Sequence, residues 1–265
     1  MESDRAALTF ATLGHPARLA VFRLLMRFAP RGVRPTEMQQ ALGLKPNTLS
    51  HHLADLTAAG LLQVTRQGRS LFYAAQPEAA EHLIAYLALD VGRGRPGSVL
   101  PAPRPPHPLQ VLFLCSANSA RSVMAEALLR DLGGGRFVAH SAGTRPAGAI
   151  NPLTLHLLAH HGHSTEGLCP KPLSRFQTAD APVMDFVFTV CDSAAAEDCA
   201  PWPGAPISTH WGLPDPVMAP DPAAAFARSY RALRTKIAAF ADLPLTTLDR
   251  LAAQAQVDAL SLQPE

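Results

Sequence analysis

The sequence predicts a multidomain chain: an N-terminal winged helix-turn-helix, mainly α with a β-hairpin wing, and a C-terminal α/β domain with a parallel sheet flanked by helices. Three observations carry that expectation. Residues 1–90 alternate short amphipathic helical patterns with one pair of short strands. Residues 91–108, VGRGRPGSVLPAPRPPHP, are crowded with Pro and Gly, lack any hydrophobic period, and read as an extended, semi-stiff linker. The apolar run LQVLFLC then opens a domain over 109–241, where buried-strand patterns lead into helical ones. Residues 242–265 form a tail with a further helical pattern, TTLDRLAAQAQVDAL.

At 265 residues the chain can bury two separate cores. No apolar run reaches the ~18–20 residues of a membrane span, and the N-terminus lacks a basic-then-apolar leader. The expectation is a cytoplasmic protein with no membrane partner. The formal charge of +2 hides an asymmetry: up to Arg95 there are eleven Arg/Lys against seven Asp/Glu, and beyond it twelve against fourteen. A basic front and a mildly acidic back imply different partners. The four cysteines, Cys115, Cys169, Cys191 and Cys199, are too few and too clustered for a disulfide scaffold; in a reducing compartment that pattern means catalysis or metal.

In the front half, apolar residues recur at helical spacing over 5–13 and 16–28, the second stretch opened by Pro16. RPTEMQQALGL places Thr36 as an N-cap and Gly43 as the stop of a short helix. KPNTLSHHLADLTAAG gives another, with Leu49, Leu53 and Leu56 inward and Gly60 closing it. LLQVTRQGRSLFYAA reads as two strands around a Gln67-Gly68 turn, and PEAAEHLIAYLALD as a last helix. This order is that of a winged helix-turn-helix whose second motif helix, about residues 47–59, enters the major groove of operator DNA. Asn47, Thr48, Ser50, His51 and His52 then face bases or phosphates, while Arg66 and Arg69 on the hairpin reach the backbone or minor groove. The histidines of this half are not spaced as a metal set, and no metal is expected.

In the back half, LQVLFLC ends at Cys115 and SVMAEALLRDL is helical, so 116–120 form a tight strand-to-helix loop. Backbone N–H groups there have no helical partner and suit an oxyanion. The predicted cup is Ser116, Ala117, Asn118, Ser119, Ala120, Arg121 and Ser122, with Arg121 forking two oxygens. Helix N-terminus, loop amides and Arg121 favour a Cys115 thiolate, to which Ser122 donates a hydrogen bond. Cys115 is thus a candidate nucleophile beneath a tetrahedral anion. Asp215, in THWGLPDP, is a candidate general acid.

Two resemblances extend this. LGHPARLAVFRLL and LGLKPNTLSHHLADLTAAGLLQVTRQGRSLFYAA resemble the ArsR-type repressors over nearly all of residues 5–90. That implies a homodimer through the first and last helices of the domain, released from its operator by a metal or metalloid. The front half holds no cysteine, so the family's cysteine-pair sensor does not carry over. LFLCSANSARSVMAEALL, HSAGTRP, VFTVCDSAAAEDCAPWPG and THWGLPDP resemble the low-molecular-weight tyrosine phosphatase superfamily, and more closely its arsenate reductase branch, over about 109–241. The resemblance implies reduction of arsenate to arsenite. Cys115 forms a thiol–arsenate adduct, Cys191 attacks Cys115, and Cys199 takes over the disulfide for an external thiol reductant, thioredoxin. Glu126 and Ser141 match positions that some reductases link to a monovalent cation; no tightly bound cofactor is expected. The other readings are a phosphatase acting on phosphate esters, which needs Cys115, Arg121 and Asp215 only, and a regulator that merely binds an oxyanion.

Overall fold

A computed structural model describes residues 2–91, 108–178, 180–197, 202–245 and 250–262. The chain divides into two compact units, Met1–Pro103 and Arg104–Glu265. Most of the expected linker, 92–107, lies outside the described residues.

The first unit runs α1 (Ser3–Leu13), α2 (Pro16–Phe28), α3 (Pro35–Leu42), α4 (Pro46–Ala58), β1 (Leu62–Gln67), β2 (Ser70–Ala75) and α5 (Pro77–Ala85), continued by a π-helical stretch Tyr86–Val91. Proline begins four of these helices because its fixed φ and missing N–H cost nothing at the first turn. Leu49, Leu53 and Leu56 bury one face of α4 against Val21, Leu24 and Leu25 of α2 and Met38 of α3. Each such leucine contributes roughly 1.5–3 kcal/mol. Two local expectations shift. Thr36 does not cap α3: the helix starts at Pro35, and Arg34 is the cap, its backbone N–H donating to Glu37 Oε2 at 2.9 Å. The hairpin pairs Gln67 with Ser70, so its turn is Gly68-Arg69, with Gly68 at φ 60°. Positive φ at the first central residue is the geometry that glycine supplies.

The second unit is a four-stranded parallel sheet in the order β4-β3-β5-β6. Its elements are β3 (Leu109–Cys115), α6 (Arg121–Leu132), β4 (Phe137–Gly143), α7 (Pro152–His160), β5 (Phe186–Thr189), α8 (Asp192–Ala196), β6 (Ile207–His210), α9 (Pro222–Ala241) and α10 (Arg250–Ser261). Residues 111–115 of the central β3 are buried throughout, which is why its sequence is a continuous apolar run. One face packs Val111, Phe113, Phe188, Trp211 and Phe240 with α6 and α9; the other packs Leu112, Leu114, Val187 and Phe176. The helix in the tail segment places Ala253, Val257 and Leu260 in the first of these cores, and Lys236 of α9 donates to Leu260 O at 2.8 Å. All four strands are parallel, so the loops after β3 and β5 emerge at the same edge.

Candidate active site

β3 delivers Cys115 to the edge of the sheet, and α6 begins six residues later at Arg121 with no side chain capping it. The loop between them turns its carbonyls outward. Thr144 N donates to Cys115 O (3.2 Å), Arg145 N to Ser116 O (2.9 Å), Ala147 N to Ala117 O (2.8 Å) and Asn151 N to Ser119 O (3.0 Å). The Thr154 hydroxyl adds a second bond to Ser119 O at 3.0 Å. With the carbonyls committed to this wall, the loop's own N–H groups are what remains for an anion. The amide of Asn118 is the exception: it donates to Cys115 Sγ at 3.1 Å. Asn118 takes φ 47°, a left-handed conformation that asparagine tolerates better than most residues.

Two residues absent from the sequence-predicted site make this loop possible. Gly143 ends β4 directly beside Cys115, and a Cβ there would lie 2.6 Å from Ser116 O and 3.0 Å from the Asn118 Cβ. Lys171 donates its backbone N–H to Asn118 Oδ1 at 2.6 Å and its Nζ to Glu126 Oε2 at 3.0 Å. Glu126 also meets Arg130 and receives the Ser141 hydroxyl, and Ser141 Oγ accepts from Asn118 Nδ2 at 2.8 Å. Because Lys171 and Arg130 already neutralise that buried carboxylate, these residues do not fit a further bound cation. HSAGTRP carried Gly143 in plain sight. Lys171 had no local signal, because only the fold brings it under the loop.

Cys115 is 3% exposed, and its Sγ lies 2.8 Å from Ser122 Oγ. Here the sequence expectation is corrected. Burial is the largest influence and pushes the Cys115 thiol up, with Cys191 adding in the same direction; the hydrogen bonds of Ser122 and Asn118 pull it down without winning. Arg121 does not hold the sulfur, being occupied elsewhere. Its Nη1 donates to Leu213 O at 2.7 Å, its Nη2 pairs with Asp215 Oδ2 at 3.1 Å, and its buried Nε has no partner among the described residues. The structure thus joins Arg121 to Asp215, whose Oδ1 also accepts from Val217 N at 3.1 Å.

Cys191 follows β5, the strand next to β3, and Val190 N donates to Leu114 O at 2.8 Å. This register sets Cys191 beside the cup. Its buried Sγ lies 3.6 Å from Ser116 Oγ and accepts from Ala194 N at 3.4 Å. Cys169 is exposed. Cys199 lies outside the described residues; just before it, Glu197 accepts from Thr144 Oγ1 (3.1 Å) and Arg145 Nη2 (3.0 Å). Among the described residues no group of three or more His, Cys, Asp or Glu side chains is placed to hold a metal.

In the first unit Asn47, Thr48, Ser50 and His51 are exposed on α4, as an interface would require. Ser50 Oγ is turned back to Pro46 O at 3.0 Å. His52 is half-buried, its ring 4.9 Å from that of His15, and burial with the neighbouring His15 and Arg18 lowers its pKa. Arg66 and Arg69 are exposed at the hairpin tip, where Arg66 Nε donates to Gly68 O at 3.2 Å.

Comparison with known proteins follows this division. Residues 110–254 match the model of the low molecular weight phosphotyrosine protein phosphatase family, and residues 13–65 match a helix-turn-helix domain. Arsenate reductase 2 of Staphylococcus saprophyticus is 31% identical over 111 residues, 40% of this chain and 77% of that one. The glutaredoxin arsenate reductase of Synechocystis is 29% identical over 108 residues, 40% of this chain and 78% of that one. The HTH-type transcriptional regulator YgaV of Escherichia coli is 29% identical over 85 residues, 32% of this chain and 84% of that one. The back half matches over the residues that build the cup, so the chain belongs to the low molecular weight phosphotyrosine protein phosphatase family, with a helix-turn-helix domain ahead of it.

Proposed function

We propose that the protein is a bifunctional arsenic-resistance protein, a DNA-binding regulator whose second unit reduces arsenate to arsenite. The observation that carries the reductase reading is Cys191, buried at the end of the strand next to that of Cys115 and in contact with the cup residue Ser116. A phosphate-ester hydrolase needs no second cysteine there.

Arsenate enters the cup formed by Ser116 to Ser122 and takes over the Arg121 donors that Asp215 holds. The Cys115 thiolate attacks arsenic. A sulfur–arsenic bond forms and an arsenic–oxygen bond breaks. The leaving hydroxide takes a proton from Asp215 and departs as water. The Cys191 thiolate then attacks Cys115 Sγ; the sulfur–arsenic bond breaks, its electron pair stays on arsenic, and arsenite leaves. Cys199 attacks Cys191 and releases the Cys115 thiolate. A dithiol reductant, thioredoxin or glutaredoxin, returns the Cys191–Cys199 disulfide to thiols.

In the first unit α4 is the recognition helix and the β1–β2 hairpin the wing, reading operator DNA as a homodimer. Leu8 on α1, Ile84 on α5, and Leu87 and Val91 just beyond α5 are exposed apolar side chains, which supports pairing through the first and last helices of the unit. Cys191→Ser tests the catalytic assignment. Arsenite production with either reductant should fall at least ~100-fold, while hydrolysis of an aryl phosphate, which uses Cys115, Arg121 and Asp215 alone, should persist. Undiminished arsenite production by Cys191→Ser would refute the relay.

A further inference from the structure

Cys191 stands at a corner where the chain leaves β5 and enters α8, and one side chain holds both arms of that corner. His210 ends β6 and lies opposite Thr189 in the parallel register of the two strands. Its side chain is 0% exposed, and both ring nitrogens are engaged: Nδ1 lies 2.8 Å from Thr189 Oγ1 and Nε2 lies 2.9 Å from Asp192 Oδ1. Thr189 precedes Cys191 by two residues and Asp192 follows it directly. None of the chemical steps assigned above uses this imidazole.

The hydrogens of the three side chains are set by the acidic end. An ionised carboxylate only accepts, so Nε2 carries the hydrogen donated to Asp192. In the neutral ring Nδ1 then holds a lone pair, and the Thr189 hydroxyl donates to it. The arm before Cys191 is also fixed by its backbone: Val190 N donates to Leu114 O at 2.8 Å, and Val190 O accepts from Leu213 N at 3.3 Å. The arm after it is α8, of five residues. A helix that short is not stable by itself, so tertiary anchors decide where it lies. The Asp192–His210 bond is such an anchor, at the first residue of α8. The sulfur between the arms accepts from Ala194 N at 3.4 Å, lies 3.6 Å from Ser116 Oγ, and is near enough to Cys115 to raise its pKa.

We propose that His210 is a positioning residue for Cys191: by holding Thr189 and Asp192 on either side, it fixes the corner so that the Cys191 sulfur stays aimed at that of Cys115. It acts through the two residues it holds and not through the substrate. Attack of one sulfur on another depends on access and approach, so a small shift of the corner slows it. This role rests on the reading of Cys191 as the second cysteine of the relay, but it does not require that arsenate be the oxidant.

A competition for oxidised Cys115 tests it. The full chain carries Cys199→Ser, so that the disulfide is not passed on. Hydrogen peroxide converts the Cys115 thiolate to a sulfenic acid, and hydroxide leaves. The Cys191 thiolate then attacks Cys115 Sγ; a sulfur–sulfur bond forms, the sulfur–oxygen bond breaks, and the departing hydroxide is protonated to water. Dimedone competes for the same sulfenic acid. Peptide mapping gives the ratio of Cys115–Cys191 disulfide to dimedone-labelled Cys115, in which the rate of the first oxidation cancels. Thr189→Val and Asp192→Ala should each lower that ratio about tenfold, with the phosphate affinity of the cup unchanged. Asp192→Asn, whose carbonyl still accepts from Nε2, should restore the parental ratio. The Asp192 side chain is 62% exposed, so its variants decide the matter should Thr189→Val fail to fold. A parental ratio in Asp192→Ala overturns the proposal, and so does an Asp192→Asn ratio as low as that of the alanine variant. Loss of phosphate binding alongside the ratio overturns it too, since the whole site would then have moved. If the chain without these changes forms no Cys115–Cys191 disulfide, the relay itself fails and the role of His210 with it, an outcome distinct from the others.

Discussion

Gly143 and Ser122 act on the same sulfur by different physics. At Gly143 the matter is space: β4 must pass close enough for the Cys115 loop to lean its carbonyls on residues 144–151, and any Cβ would strike Ser116 O at 2.6 Å. The obstacle is backbone, which cannot swing aside, so Gly143→Ala should cost about 1–3 kcal/mol and displace the loop. The measurement is the melting temperature together with phosphate affinity; an alanine variant of parental stability that still binds phosphate would show the loop to be more tolerant than its geometry implies. At Ser122 the matter is charge. Burial and Cys191 raise the Cys115 pKa, while Ser122 lowers it. Since the thiolate is the reactive form, alkylation of Cys115 should rise with pH through a midpoint above that of an ordinary thiol. Ser122→Ala removes an opposing influence, so its midpoint should lie higher still. A downward move would reverse the assigned direction of that hydrogen bond.

At the level of elements, what the sequence disclosed is what short-range patterns encode. The strand ending at Cys115, the helix after it, α4 and the hairpin are each set by a contiguous apolar run or a helical repeat, and all were legible. Errors of a residue or so arose where two local signals competed. Pro35 outbid Thr36 for the start of α3, and strand register placed the turn at Gly68-Arg69 instead of Gln67-Gly68. The support of the cup was not legible in the same way. Gly143 matters because β4 pairs with β3 in parallel with Cys115 opposite it, and Lys171 because its segment crosses beneath Asn118. Both are consequences of long-range register, which no window of sequence contains. The hairpin carries its own prediction. Arg66 and Arg69 are exposed at its tip, next to a helix whose Asn47 and Thr48 face solvent. Contacts made by such arginines to phosphates are independent of base sequence. Each Arg→Ala change should weaken specific and random DNA alike and reduce the salt dependence of binding by about one unit of slope. If either change instead altered preference between operator sequences, the wing would be reading bases.

For the whole molecule, the question is whether two chemistries that share a chain share a folding transition. Each unit has a core of its own: one built on Leu24, Leu25, Met38, Leu49, Leu53 and Leu56, the other on Phe113, Phe188, Trp211, Phe226, Leu233 and Phe240. Their proposed ligands are also unlike, DNA for the basic first half and a small oxyanion for the second. A ligand that binds only the folded state stabilises the unit that holds it, by about 2.7 kcal/mol at a concentration a hundred times its dissociation constant. Calorimetry of the full chain should therefore resolve two transitions. Phosphate should raise one of them and operator DNA the other. Cys115→Ser should leave the DNA-responsive transition where it was, because that residue belongs to the second core. A single transition raised equally by both ligands would mean that occupancy of the cup and binding of the operator are thermodynamically linked. In that case arsenate or arsenite in the second unit would itself be a regulator of the first, by the reciprocity that linkage imposes.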